Sequence, residues 1–154
     1  MKRFCLAVGI IFLIFFACGR PLEAATYTIG GPAGPTNYAT LAALFTAVPN
    51  PADGDVIVLY QDDSSLKNQT LNLPATITIQ SNDPLTPRVI SMNNPASPPY
   101  QGGIFYIIGS GTLDLNGVTF SDGSATLGGA IYTNNTLTFN SGGTYTFNQN
   151  LASS

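Results

Sequence analysis

Thr112-Leu113-Asp114-Leu115-Asn116-Gly117-Val118-Thr119-Phe120 alternates apolar and polar residues in two short runs on either side of an Asn-Gly pair. A period of two marks a strand with one buried face, and Asn-Gly is turn punctuation. The same two-run phrase stands at Thr70-Leu71-Asn72-Leu73 before Ala75-Thr76-Ile77-Thr78-Ile79. It returns at Thr136-Leu137-Thr138-Phe139-Asn140 before Thr144-Tyr145-Thr146-Phe147. Leu113 and Leu137 are 24 residues apart, and Leu71 and Leu113 are 42 apart, which is two turns of about 21. Strands of four or five residues at that spacing predict an all-β chain wound as a parallel β-helix, a solenoid in which each coil stacks on the last. An antiparallel sandwich is the competing reading, since Asn116-Gly117 suits a two-residue hairpin.

Stacking accounts for the composition. Of 154 residues only 8% are charged, while 17 Thr, 13 Asn and 11 Ser supply the polar surface. Equivalent residues of successive coils lie about 4.8 Å apart, so a charge repeated at one position would face its own kind, whereas Thr, Ser and Asn ladders hydrogen-bond. The chain has no His, which removes imidazole bases, His metal ligands and Ser-His or Cys-His nucleophile pairs. Its 5 Lys and Arg are too few to neutralise a row of phosphates, so nucleic acid is excluded as an expected partner.

Upstream of the repeats the chain reads as an address followed by a cap. Residues 1–25 begin with Lys2 and Arg3, run apolar from Phe4 to Cys18, and end Leu22-Glu23-Ala24-Ala25. A charged start, an apolar middle and small residues at the end make a secretory signal peptide, with cleavage after Ala24 or Ala25. The apolar run is shorter than the ~18 residues that argue for a membrane span. Competing readings are acylation of Cys18 in Phe15-Phe16-Ala17-Cys18-Gly19 and retention of the segment as an anchor. From Thr26 onward the basic residues are Lys67 and Arg88 against seven Asp, a net charge of −5 with no Cys, and no membrane-spanning segment is expected there. Leu41, Leu44, Phe45 and Val48 then fall on one helical face, predicting a short helix from about Tyr38 to Val48. Thr36 or Asn37 would cap its start, and Pro49 and Pro51 end it. The expected organisation is a signal at 1–25, a loop and capping helix at 26–54, and β-helix coils over 55–154.

Two blocks carry a family resemblance. Tyr38-Ala-Thr-Leu-Ala-Ala-Leu44 followed by Gly54-Asp55-Val56-Ile57-Val58-Leu59 resembles the N-terminal cap and first rung of right-handed parallel β-helix proteins. Thr112 to Phe120, then Gly128-Gly129-Ala130-Ile131 and Phe147-Asn148-Gln149-Asn150, are similar to the repeat of the chlamydial polymorphic outer membrane proteins, with Phe120-Ser121-Asp122-Gly123 as a degenerate copy. The resemblance implies a right-handed β-helix passenger of an autotransporter adhesin, exported to the surface or outer membrane of a Gram-negative bacterium. Members are long and end in a membrane barrel. By this count the present chain stops at Leu151-Ala152-Ser153-Ser154 in mid coil, as an N-terminal fragment would, and a fragment would be periplasmic. In physical terms Gly128 and Gly129 make a sharp corner, Ala130 or Ile131 enters the core, and Phe147 stacks inside with Asn150 at the next turn. These are coil-forming roles first, adhesive second.

Other chemistry is weaker. Asp53/Asp55 and Asp62/Asp63 are the close carboxylate pairs, and a polysaccharide lyase or hydrolase would need such a pair. Solvated turn aspartates account for them more simply. Calcium would suit the same turns, yet neither an EF-hand loop nor a glycine-rich nonapeptide occurs. Asn94-Pro95-Ala96-Ser97-Pro98-Pro99-Tyr100 reads as a loop leaving the coil. The expectation is a non-catalytic, cofactor-free adhesin-type segment whose partners are a host-cell or matrix surface, or further copies along the β-helix. A secreted carbohydrate-active enzyme and an inactive remnant are the alternatives.

Overall fold

In the computed structural model the described residues are 23–73, 76–83, 85–92, 103–125, 127–133 and 145–152. The signal segment before residue 23 and the proline-rich loop at 94–100 lie outside them, as does the repeat phrase at 136–140.

The described residues are mostly β with one short helix. Strand β1 (Thr26–Ile29) is followed by β2 (Asn37–Tyr38) and the helix α1 (Leu41–Ala47). Then come β3 (Val56–Leu59), β4 (Asp63–Leu66), β5 (Gln69–Asn72), β6 (Ile77–Ser81), β7 (Arg88–Met92), β8 (Phe105–Ile108) and β9 (Leu113–Asn116). The last are β10 (Val118–Ser121), β11 (Ser124–Ala125), β12 (Ile131–Thr133), β13 (Tyr145–Asn148) and β14 (Leu151–Ala152). They form sheets ordered β2-β1-β3-β6-β9, β13-β10-β7-β4 and β12-β8-β5, with β11 beside β14. Every described pairing is parallel. That overturns the antiparallel sandwich: Gly117, at φ +62, turns the chain from one sheet into the next rather than closing a hairpin. From β3 to β5 the chain visits the three large sheets in turn, and from β6 to β8 it visits them again in the same order.

The inward positions form apolar columns. Ile57, Ile79 and Leu115 are in register, as are Ile90, Phe120 and Phe147, and Leu71 and Ile107. Burial alternates along β6 and β9 as the period of two predicts. The register differs from the repeat read in the sequence. Leu71 pairs with Ile107 and not through an intermediate turn with Leu113, whose partner is Ile77. The reason is unequal loop length. Ile57 to Ile79 spans 22 residues and Ile79 to Leu115 spans 36, so identical phrases fall on different sheets.

The helix covers one end of this core. Leu41, Leu44 and Phe45 are buried, and Val48 packs against them. Seven residues form a marginal helix alone, so its apolar face and its caps hold it. The cap is Thr40, whose side chain accepts from Ala43 N at 3.2 Å, rather than Thr36 or Asn37. Asn37 is spent elsewhere: its Oδ1 accepts from Thr28 Oγ1 at 2.9 Å and Gly31 N at 3.0 Å, which seats β2 beside β1. The helix accordingly starts at Leu41, not Tyr38. Phe45, Phe105 and Phe120 then make an aromatic chain through the core that Phe147 extends to the surface, with successive centroids 6.0, 5.9 and 5.4 Å apart.

Candidate functional site

The carboxylates are the first candidates, and the fold uses all four of the paired ones on main-chain amides. Asp63 stands in register with Ile90, at the foot of the column that continues through Phe120. Only 3% exposed, it accepts from Leu41 N at 2.9 Å through one oxygen, and from Ser65 N at 2.9 Å and Ser65 Oγ at 2.6 Å through the other. Ser65 Oγ in turn accepts from Ala42 N at 3.0 Å. Together with Thr40 these groups satisfy three first-turn amides that a helix start leaves without intrahelical partners. A carboxylate there also faces the positive end of the helix.

Asp55 plays the same part in the first sheet. It immediately precedes β3, is 1% exposed, and accepts from Ala25 N at 2.8 Å and Ala52 N at 2.7 Å. The exposed pair reaches toward the following pass: Asp53 Oδ1 accepts from Thr76 N and Asp62 Oδ1 from Val89 N, both at 2.9 Å. The expectation of solvated turn aspartates is therefore corrected for Asp55 and Asp63, which are buried with their oxygens accepting from main-chain amides at the ends of the core. Sequence reasoning missed this because the donors to Asp63 and Asp55 at Leu41 and Ala25 lie 22 and 30 residues away. Asp55 and Asp63 each follow a turn and begin a strand phrase, a local signal that is easily read as solvent-facing.

The repeat-motif residues come together at one corner. Gly128 has φ +60, and its carbonyl accepts from Gly103 N at 3.0 Å. The Gly129 carbonyl lies so close to Gly103 and Gly123 that a Cβ on either would sit 1.8 or 1.9 Å from it. Ala130 is buried and accepts from Ile104 N and Phe105 N, both at 3.0 Å, while Ile131 is half-buried against the core. Phe147 stacks on Phe120 at 5.4 Å with the rings 13° apart, but it is 44% exposed where Phe120 is fully buried. Among the described residues no strand lies beyond β13 in that sheet, so Phe147 is stacked without being enclosed. Asn150 ties its turn to the preceding one: Nδ2 donates to Phe120 O and Oδ1 accepts from Gly123 N, both at 3.0 Å. Asp122 and Gln149, one pass apart, share the left-handed conformation at φ +58 and +51. Phe120 to Gly123 is thus a structural copy of Phe147 to Asn150.

The outward surface is neutral and polar with a few aromatics. Thr70, Tyr106 and Tyr132 follow one another outside the third sheet, and the two tyrosine rings stack at 5.5 Å. Val58, Gln80 and Asn116 line up outside the first. Arg88 donates through Nε and Nη2 to Asn82 Oδ1. Asp114 Oδ1 is buried with no hydrogen-bond partner. Burial first, then Asp55 and Tyr38, pushes the Tyr27 phenol above its usual value of 10.0. Among the described residues no group of three or more His, Cys, Asp or Glu is placed to hold a metal ion, and no helix is long and apolar enough to cross a membrane. No family model, curated protein or solved structure matches the chain.

Proposed function

We propose that this chain is a segment of a right-handed parallel β-helix exported by its N-terminal signal, acting as a non-catalytic, adhesin-type passenger of a surface protein. The observation that carries the reading is the repeat of visits to three parallel sheets, with Phe147 stacked on Phe120 and Asn150 clamped to the turn that follows Phe120. Parallel strands linked by crossovers of one hand are right-handed in nearly every known case, which supports the handedness. The motif residues support the coil, so recognition falls to the lateral face of neutral polar side chains and the Tyr106–Tyr132 pair. Such a surface offers hydrogen bonds and ring faces without a charge pattern, which suits a host-cell or matrix glycan or protein surface. The similarity of the Gly-Gly-Ala-Ile and Phe-x-x-Asn phrases to polymorphic outer membrane proteins points the same way.

The enzyme alternative is less well supported, because Asp63 commits both oxygens to Leu41 and Ser65 and Asp62 commits one to Val89. An immunoblot of native cells, with antibody to residues 26–154, tests the proposal. Loss of the band when protease is added outside intact cells is the expected result. A protease-protected band in the periplasm would overturn surface display.

A further inference from the structure

Reading residues 1–25 as an export signal leaves two bonds for its removal, after Ala24 or after Ala25. The fold treats these residues differently. Ala25 already belongs to the first sheet: its carbonyl accepts from Val56 N at 2.9 Å and its nitrogen donates to Asp55 Oδ1 at 2.8 Å. Glu23 and Ala24 are exposed just ahead of it. Asp55 is a buried carboxylate whose other oxygen is held by Ala52 N.

We propose that the Ala24–Ala25 bond is the processing site, and that the new Ala25 α-ammonium becomes the counter-ion of the buried Asp55 carboxylate. The inference rests on the export reading and adds to it a bond and a consequence. A signal peptidase would supply the catalysis and water the second reactant. The carbon–nitrogen bond between Ala24 and Ala25 breaks, and the oxygen of water joins the Ala24 carbonyl carbon, which departs as the carboxylate end of the signal. Both protons of that water end on the Ala25 nitrogen, which with its own amide hydrogen becomes the ammonium. Before the cut Asp55 binds a neutral amide at this position, and after it a cation. A buried carboxylate bonded to neutral donors carries an uncompensated charge, and a cation at hydrogen-bond distance relieves that cost.

Two features disfavour the next bond. Cleavage after Ala25 would delete the residue that holds both Asp55 and Val56, and would leave Asp55 Oδ1 without this donor. It would also put the charged Glu23 three positions before the cut, where small or apolar side chains are accepted; cleavage after Ala24 puts Leu22 there. Maturation therefore locks the first strand into the sheet, since the ammonium exists only once the signal has gone.

The direct test is the intact mass of the full-length gene product after export from a Gram-negative host. A chain beginning at Ala25 is expected. A chain beginning at Thr26, or at an acylated Cys18, overturns the inference and leaves export standing, whereas a product retaining Met1 overturns both. The ion pair is tested on the exported Lys67→Arg protein, in which the α-amine is the sole amine, by comparing it with its N-acetylated form. Asp55 is the charged group facing this amine; the Tyr27 phenol on β1 interacts with Asp55, and its ring packs against that of Tyr38 on β2. The carboxylate raises the amine above its ordinary value of about 7.7–8.0, so the extra stability is present below that range and is lost as pH rises through the raised folded value. Acetylation is expected to lower the urea midpoint by roughly 0.5–1 M near pH 6 and to have no effect at strongly alkaline pH. Asp55→Asn should abolish the difference. If that variant does not fold, the acetylation comparison decides alone, and equal midpoints near pH 6 overturn the ion pair.

Discussion

Replacing Asp63 by Ala should unfasten the capping helix. The carboxylate receives Leu41 N, Ser65 N and Ser65 Oγ in a nearly dry site. Hydrogen bonds to a charged acceptor contribute about 1.5–3 kcal/mol each, and the Ala side chain leaves two main-chain donors with no acceptor and little water. Counting those two amides at the low end gives a loss of about 3–4 kcal/mol, a large share of the 5–15 kcal/mol that typically separates folded from unfolded chains. With a urea slope of ~1.5–2 kcal/mol/M, the midpoint should fall by roughly 2 M. Asp63→Asn should recover part of this, because its amide keeps one acceptor while presenting a donor to a donor. Asp62→Ala is the internal control: its exposed carboxylate holds one amide, Val89 N, and its loss should cost about 0.5–1 kcal/mol. Urea unfolding followed by circular dichroism reads both. Equal, small shifts for Asp62→Ala and Asp63→Ala would refute the reasoning and return Asp63 to the role of a solvated turn residue. A catalytic carboxylate predicts the opposite pattern, lost turnover of polysaccharide with stability intact.

The remaining predictions use the same unfolding assay. Gly103→Ala and Gly123→Ala should each cost about 1–3 kcal/mol, because a Cβ would overlap the rigid Gly129 carbonyl, whereas Gly34→Ala, with open space around it, should change stability by less than about 0.5 kcal/mol. Asn150→Ala should cost about 1–2 kcal/mol by releasing Phe120 O and Gly123 N, and Asn150→Asp should restore the Gly123 bond alone. The Tyr27 phenol is raised mainly by burial, so the folded protein holds its proton where the unfolded chain has lost it. Its contribution is complete below pH 10.0 and declines as pH rises above that, and Tyr27→Phe should flatten this alkaline decline.

Much of the fold could be read from residue pattern. Spacing alone puts Leu41, Leu44 and Phe45 on a buried helix face, and period two along Ile77–Ser81 and Leu113–Asn116 picks out their buried positions. The pairing of Phe120 with Phe147 was also legible, because both phrases carry the same aromatic two residues from the start of a strand. Register was not. Thr70–Leu73 and Thr112–Leu115 look alike yet lie on different sheets, since loops of unequal length carry the chain past a corner without any signature in the strands themselves. The buried aspartates were hidden for a related reason. What makes Asp55 and Asp63 structural is the supply of amides from Ala25 and Leu41, and only the folded topology brings those amides near.

The stacking of one pass on the next is tested most directly by a disulfide across the register. The chain has no Cys after residue 18, and Thr119 and Thr146 are paired outward neighbours on β10 and β13. Adjacent strands lie about 4.8 Å apart, within the reach of a disulfide. Thr119→Cys with Thr146→Cys should oxidise readily in the folded protein, while Thr119→Cys with Asn148→Cys, two residues out of step, should remain reduced under the same mild conditions. Equal oxidation of both pairs, or of neither, would contradict the parallel in-register stack on which the proposed function rests.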